Sequence, residues 1–275
     1  MENYTELLSI AIRAAVLAGK EIMEVYAQDF SVAFKDDKSP LTEADKRGHV
    51  KIISELKETG LPVLSEEGKE ISFEERNHWE LFWMVDPLDG TKEFVKRNGE
   101  FTVNIALIKN AVPVMGVIYA PVMDTLYFGG EGIGSYKLIT DLHHLCHLIQ
   151  TKHVTDKLIP TAQKLPVKNQ ERIFTVVASR SHMSEETETY IEQLKNKHGD
   201  LQMISKGSSL KLCLVAEGSA DVYPRFAPTM EWDTAAGQAI ALYAGLKVIN
   251  AHDQTPIIYN KPNLLNPWFI VEGKE

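Results

Sequence analysis

Asp86 and Asp89 stand three residues apart in WMVDPLDGTKEF (residues 83–94), where an apolar run ends in Asp-Pro-Leu-Asp-Gly-Thr. Like charges crowded at the end of a buried run are unfavourable unless something neutralises them. Pro87 biases Asp86 toward extended backbone, as befits the last residue of a strand, and Gly90 permits a sharp turn. Such a turn aims both carboxylates and the Leu88 carbonyl at one point, an all-oxygen donor set that suits a hard divalent cation such as Mg²⁺. Thr91 is expected to cap a short helix through KEFVKR, whose free amides would face the same point and suit a phosphate oxygen. Taken alone, the six residues fit an Asx-turn with Asp89 as a helix cap equally well.

Other acids recur in matching contexts. Glu66 and Glu67 close LPVLSEE, again a strand running into a turn, and Asp233 lies in EWDTAAGQAI at the start of an apolar helix. Asp45, in SPLTEADK, falls in the first turn of a helix. Alone, Asp233 and Asp45 read as acids placed against a helix dipole. Together, the four contexts point to a cation site.

The elements that must position these acids follow from periodicity. Leu7, Ala11, Ala14, Ala18, Ile22 and Val25 keep helical spacing, predicting a long first helix with Asn3 or Thr5 near its cap. SVAFK and LPVLSEEG predict short strands, DDKSP a turn, and LTEADKRGHVKIISELKETG a second helix closed by Gly60. From Phe101 to about residue 138, strand-like runs alternate with turn residues and predict an antiparallel meander. The pattern weakens as far as Arg172. Then IFTVVAS, a helix from Ser184 to about Lys197, QMIS, a helix in GSSLKLCLVAEG, the strand ADVYP and a helix in EWDTAAGQAIALYAG alternate as an α/β lobe does. The expected division is an N-terminal α+β lobe, residues 1–138, carrying most of the acids, and a C-terminal α/β lobe, residues 139–275, countable as one domain.

The chain has 275 residues and a formal charge of −9. That balance argues against a general nucleic-acid or anionic-membrane surface, while a bound cation can still reverse the sign locally for an anionic substrate. Two cysteines, Cys146 and Cys213, point to a reducing cytoplasm rather than a disulfide scaffold. No secretory signal and no membrane-spanning run is expected.

LPVLSEEG, WMVDPLDGTKEF and EWDTAAG, in that order and at these separations, resemble the inositol monophosphatase superfamily of magnesium-dependent phosphatases over roughly residues 5–270. ASRSH, KGSSLKLCLVAEGSADVYPRF and the stretch after DPLDGT are similar to its bacterial 3′(2′),5′-bisphosphate nucleotidase branch. The resemblance implies a layered αβαβα sandwich, the sugar-phosphatase fold. It implies two or three Mg²⁺ per site, with Mn²⁺ able to substitute. Glu66, Asp86 and the Leu88 carbonyl would hold one cation, and Asp86, Asp89 and Asp233 a second. A metal-bound water would be the nucleophile, oriented by Thr91, with Glu66 or Asp45 accepting its proton and the Leu88–Thr91 amides presented to the phosphate. Cleaving a phosphate monoester requires up to about 10²¹-fold acceleration, and two cations roughly 3.5–4 Å apart can steady both attacking and leaving oxygens. The implied substrate is adenosine 3′,5′-bisphosphate (PAP), with its sulfated relative PAPS alongside. Glu66, Leu88, Asp89, Gly90, Thr91 and Asp233 would touch it at the scissile end. Lys211 and Arg225 would take the second phosphate, and His182, Gly207 and Ser208 would line the nucleotide side. As plain residues, Lys211 reads equally as a solvated helix position and Arg225 as a surface ion-pair partner. The resemblance leaves open a homodimer and peripheral association with the inner face of the cell membrane.

ALYAGLKV departs from the usual ending of the last helix in inositol phosphatases, which weakens that reading. The rival functions are an inositol or sugar monophosphatase and a non-catalytic module sensing a nucleotide or cation. HHLCHL matches no closed zinc pattern and is expected to be a loop or edge strand, GGEGIG a hairpin turn, and Cys213 a core residue.

Overall fold

The computed structural model describes residues 4–28, 32–34, 40–167, 172–178 and 184–273. In chain order they form α1 (Tyr4–Tyr26), β1 (Val32–Phe34), β2 (Pro40–Thr42), α2 (Glu43–Leu56), β3 (Val63–Ser65), α3 (Phe73–Arg76), β4 (Leu81–Asp89) and α4 (Thr91–Val95). Then come β5 (Thr102–Lys109), β6 (Val112–Ala120), β7 (Thr125–Gly130), β8 (Gly134–Ile139), α5 (Leu142–Leu148), α6 (Val154–Leu158) and β9 (Gln163–Lys164). The chain closes with β10 (Phe174–Ala178), α7 (Glu185–His198), β11 (Leu201–Ser205), α8 (Leu210–Glu217), β12 (Val222–Arg225), α9 (Glu231–Tyr243), β13 (Leu246–Asn250) and β14 (Phe269–Gly273).

Among the described residues, β3 to β9 form a seven-stranded sheet in sequence order, antiparallel except for the β3–β4 pair. Its central strands, β4 to β7, are buried on both faces. In β4, Trp83 and Val85 face α1 and α2, while Phe82 and Met84 face the opposite way, toward α8 and α9. A strand covered on both sides loses the polar–apolar alternation, which is why FWMV reads as a continuous apolar run. The second sheet, in the order β11-β10-β12-β14-β13, packs its inner residues Val177, Tyr223, Phe269 and Val271 onto the other side of α8 and α9. Val176, Val222, Ile249 and Ile270 on its outer face meet Leu194, Tyr190 and Ile191 of α7. The layers therefore run α1/α2, sheet, α8/α9, sheet, α7, the αβαβα sandwich expected.

Some local expectations differ. HHLCHL is not a loop or edge strand but helix α5, capped by Asp141, whose side chain accepts the His144 amide at 2.9 Å. Leu145 of α5 and Val154 and Leu158 of α6 are buried against the α1 side of the first sheet. Helices this short carry too few turns to show a period in sequence. Residues 138 and 139 both lie within β8, and the same sheet takes in β9. β14 pairs antiparallel with both β12 and β13, in a sheet whose β10–β11 and β10–β12 pairs are parallel, so this sheet is mixed. DDKSP is at least partly outside the described residues, and so is Asn3.

The first sheet and α9 meet at a close approach. An added Cβ at Gly116 in β6 would run into the Ala236 carbonyl of α9, backbone that cannot swing aside. Gly116→Ala must push α9 off the sheet. Overpacking of this kind costs about 1–3 kcal/mol, so the variant should melt several degrees lower, measured by differential scanning calorimetry. An unchanged melting temperature would show that the contact is loose.

Candidate active site

The turn after β4 is built as its residues dictate. The β4–β5 register shifts between Asp86, which pairs with Asn104, and Asp89, which pairs with Thr102. Asp86 Oδ1 accepts the Leu88 amide at 3.0 Å, closing an Asx-turn around Pro87. Gly90 adopts φ 92°, and an added Cβ there would press on the Glu100 carbonyl at 3.2 Å. Gly90, not Thr91, occupies the N-cap of α4; Thr91 is the first helical residue, and its hydroxyl donates to the Leu88 carbonyl at 3.4 Å. A residue at that cap needs a left-handed backbone, which Gly supplies and a β-branched Thr resists.

Three other elements bring acids to this turn. The parallel β3–β4 pair sets Ser65 beside Val85, and the Glu66 amide donates to the Val85 carbonyl at 3.1 Å, so Glu66 lands next to Asp86. Asp233 is the third residue of α9 and turns back to accept the Met230 amide on Oδ2 at 2.8 Å. Among the described residues, one oxygen from each of Glu66, Asp86 and Asp233 lies within 4.8 Å of the other two. Asp89 stands beside this trio, its Oδ2 accepting the Ser209 amide at 2.6 Å and Asn104 Nδ2 at 3.4 Å. Those bonds leave Oδ1 for a further partner. Asp45, in the first turn of α2, is buried and near enough to repel the Asp86 charge.

The electrostatics are unfavourable without a cation. Burial, then repulsion from Glu66, Asp89, Asp233 and Asp45, pushes Asp86 well above the ordinary carboxylate value. Burial and the neighbouring Asp89 do the same to Asp233. Burial also raises Asp89, opposed by the Lys211 charge, the Ser209 amide and Asn104. The donors are carboxylates and the Leu88 carbonyl, hard oxygens throughout, so the residues present fit a hard divalent cation.

A pocket of about 400 Å³ opens from Asp89 and Asp233. Gly90, Gly207, Ser208, Lys211 and Arg225 line it, joined by Lys92, Lys96, Lys206 and Tyr223. Lys211 is not solvated. Its ammonium donates to the carbonyls of Lys206 at 3.2 Å and Ser208 at 2.6 Å, and burial lowers its pKa to about 8. Arg225 Nη2 donates to the Pro228 carbonyl at 3.1 Å, while its Nε and the Ser208 hydroxyl are buried with no partner among the described residues. His182 lies outside the described residues. Sequence reasoning missed Asn104 and Ser209, which hold Asp89, and the lysines at the pocket mouth. The signals were there: Asn104 interrupts the apolar run FTVNIALI, and Lys92 and Lys96 follow Thr91 at one-turn spacing.

Comparisons with known proteins agree with this geometry. The inositol monophosphatase family model matches residues 3–272. The chain is 45% identical over 258 residues to the 3′(2′),5′-bisphosphate nucleotidase CysQ of Salmonella typhimurium, covering 92% of this chain and 94% of that one. It is also 45% identical to the CysQ of Escherichia coli (strain K12), with the same coverage. The crystal structure of CysQ from Bacteroides thetaiotaomicron superposes with a TM-score of 0.90 at 53% identity over 99% of both chains. An inositol monophosphatase from Anabaena superposes at 0.68 and 23% identity, a likeness of fold.

The raised Asp86 carboxyl has a definite stability signature. An acid whose folded pKa is raised loses stability as pH climbs above its unfolded value, ordinarily 3.8. With a chelator present, the melting temperature should therefore fall as pH rises from about 4, and Asp86→Asn should flatten that slope and melt above the parent at pH 7.5. Asn keeps the oxygen that accepts the Leu88 amide. A variant melting lower than the parent in chelator would refute the repulsion.

Proposed function

The chain belongs to the inositol monophosphatase family, and we propose that within it the protein is a Mg²⁺-dependent 3′(2′),5′-bisphosphate nucleotidase that hydrolyses PAP to AMP and phosphate. The observation that carries the reading is one pocket with two kinds of wall. Asp89 and Asp233 lead into the acid cluster, and Lys92, Lys96, Lys206, Lys211 and Arg225 surround the remainder. A monoester has one phosphate for the acid side and nothing to engage that many cations. A bisphosphate has a second.

Glu66, Asp86, Asp89, Asp233 and the Leu88 carbonyl are the groups that would hold Mg²⁺, with Mn²⁺ as an alternative. Divalent cations bound there supply Lewis-acid polarisation of the phosphoryl group and lower the pKa of a water. The chain's own residues do the rest. Thr91, fixed by its bond to the Leu88 carbonyl, orients the attacking water, and Asp45 or Glu66 takes its proton. The water oxygen bonds to phosphorus as the bond between phosphorus and the 3′ oxygen breaks, the leaving oxygen takes a proton from solvent water to become the 3′-hydroxyl, and AMP retains its 5′-phosphate. An ammonium has three donors; Lys211 spends two on backbone carbonyls, leaving one for the second phosphate beside Arg225. No described helix is long and apolar enough to cross a membrane, and Cys146 and Cys213 are unpaired, which favours a reducing cytoplasm.

Purified protein with Mg²⁺ should release phosphate from PAP far faster than from inositol 1-phosphate. The reverse order would transfer it to the inositol phosphatases. Arg225→Ala should cut kcat/KM for PAP by about tenfold or more, the scale of one charge-assisted contact, while leaving inositol 1-phosphate within about twofold. Asp89→Asn, which keeps the acceptor for the Ser209 amide, should lower kcat by at least about a hundredfold without changing the circular-dichroism spectrum. Retained activity would remove Asp89 from the site.

A further inference from the structure

The turn 206–209 connects the pocket's cationic wall to Asp89, and it is held in a conformation that its own sequence does not favour. Ser208 sits at φ 45°, a left-handed backbone that a serine keeps only under restraint. Two buried charges supply the restraint from opposite sides. Lys211 binds the carbonyls of Lys206 and Ser208 from the α8 side. Glu100, just ahead of β5 and only 8% exposed, accepts the Gly207 amide at 2.8 Å and reaches Lys206 Nζ at 3.4 Å. The turn lies so close to this loop that an added Cβ on Gly207 would stand 2.8 Å from the Glu100 carbonyl. The residue so delivered is Ser209, whose amide meets Asp89 Oδ2 at 2.6 Å and whose hydroxyl joins Thr102 and Asn104, each at 2.8 Å.

We propose that Glu100 and Lys211 are positioning residues that clamp the turn 206–209 and thereby set the orientation of Asp89 toward the cation. Neither need touch the cation. The clamp acts through the Ser209 amide, which pins Oδ2 and leaves Oδ1 for the cation. Because the same turn lines the pocket, a phosphate engaging Lys206 or Lys211 would act on the structure that orients Asp89, and by reciprocity the cation would change phosphate affinity by the same factor. The inference rests on reading the acids as a cation site, not on the identity of the nucleotide.

Mg²⁺ binding by isothermal titration calorimetry, with no nucleotide present, separates geometry from charge. Glu100→Ala and Glu100→Gln remove the same negative charge, but the glutamine keeps an oxygen for the Gly207 amide. Glu100→Ala should weaken Mg²⁺ binding by about tenfold or more, the usual scale for a residue supporting a metal ligand, and Glu100→Gln by less than about threefold. Lys211→Met removes a positive charge near the cation, which by Coulomb's law alone would tighten binding. A released clamp weakens it instead, and weakening is the expected result. Equal losses for the two Glu100 variants, or tighter binding by Lys211→Met, would overturn the proposal. Melting curves accompany each variant, and if Glu100→Ala fails to fold, the sign of the Lys211→Met effect decides. Since no substrate enters the calorimeter, a failure here stands apart from a failure to hydrolyse PAP.

Discussion

Repulsion among crowded carboxylates, with Asp86 buried at their centre, organises this molecule. Asp86 is buried and feels Glu66, Asp89, Asp233 and Asp45 around it, a gathering that costs free energy in any protein lacking a counter-charge. The packing holds it regardless. Two sheets and the helix pair between them meet at the site, and their apolar burial covers the cost of keeping five acids closer than water would allow.

Each acid arrives by a different structural route, which makes the site rigid. Glu66 comes from the end of a strand whose parallel neighbour carries Asp86. Asp233 comes from the first turn of α9, locked between the sheets by the close approach of Gly116 to Ala236. Behind Asp233, Glu231 is fully buried and accepts the Asn260 and Lys261 amides at 2.6 and 3.1 Å, anchoring the start of α9 to the loop before β14. A site supported on rigid elements with satisfied neighbours holds its geometry without the substrate's help.

The pocket divides labour by charge. Its acid wall suits a cation and, through it, the phosphate to be cut, while its lysines and Arg225 suit a phosphate that stays. A chain of formal charge −9 gathers four lysines and Arg225 around one pocket, so that wall and the net charge have opposite signs.

How much of this was legible follows from how far each feature depends on distant contacts. The long helix α1 and the meander rest on local periodicity, and short-range spacing carries them, whereas the αβαβα order followed from the family resemblance. The acids in DPLDGT, LSEE and EWD are legible because each lies where a strand or helix must end, a local property. Three features were hidden. The helix α5 has too few turns to display a period. Gly90 took the cap position expected of Thr91 because the backbone there has φ 92° and runs against the Glu100 carbonyl, a close approach that only the packed loops reveal. Lys211 reads in sequence as a solvated position, yet its ammonium is buried among carbonyls of a turn brought there by α8. From its sequence alone the chain declares a cation-binding acid set and the family of folds that builds it. Only the tertiary structure decides that Glu66, Asp86 and Asp233 form the close trio while Asp89 stands aside on Ser209, because that choice depends on strand register, the seat of α9 and the path of the turn 206–209, none of which is encoded in any short stretch of residues.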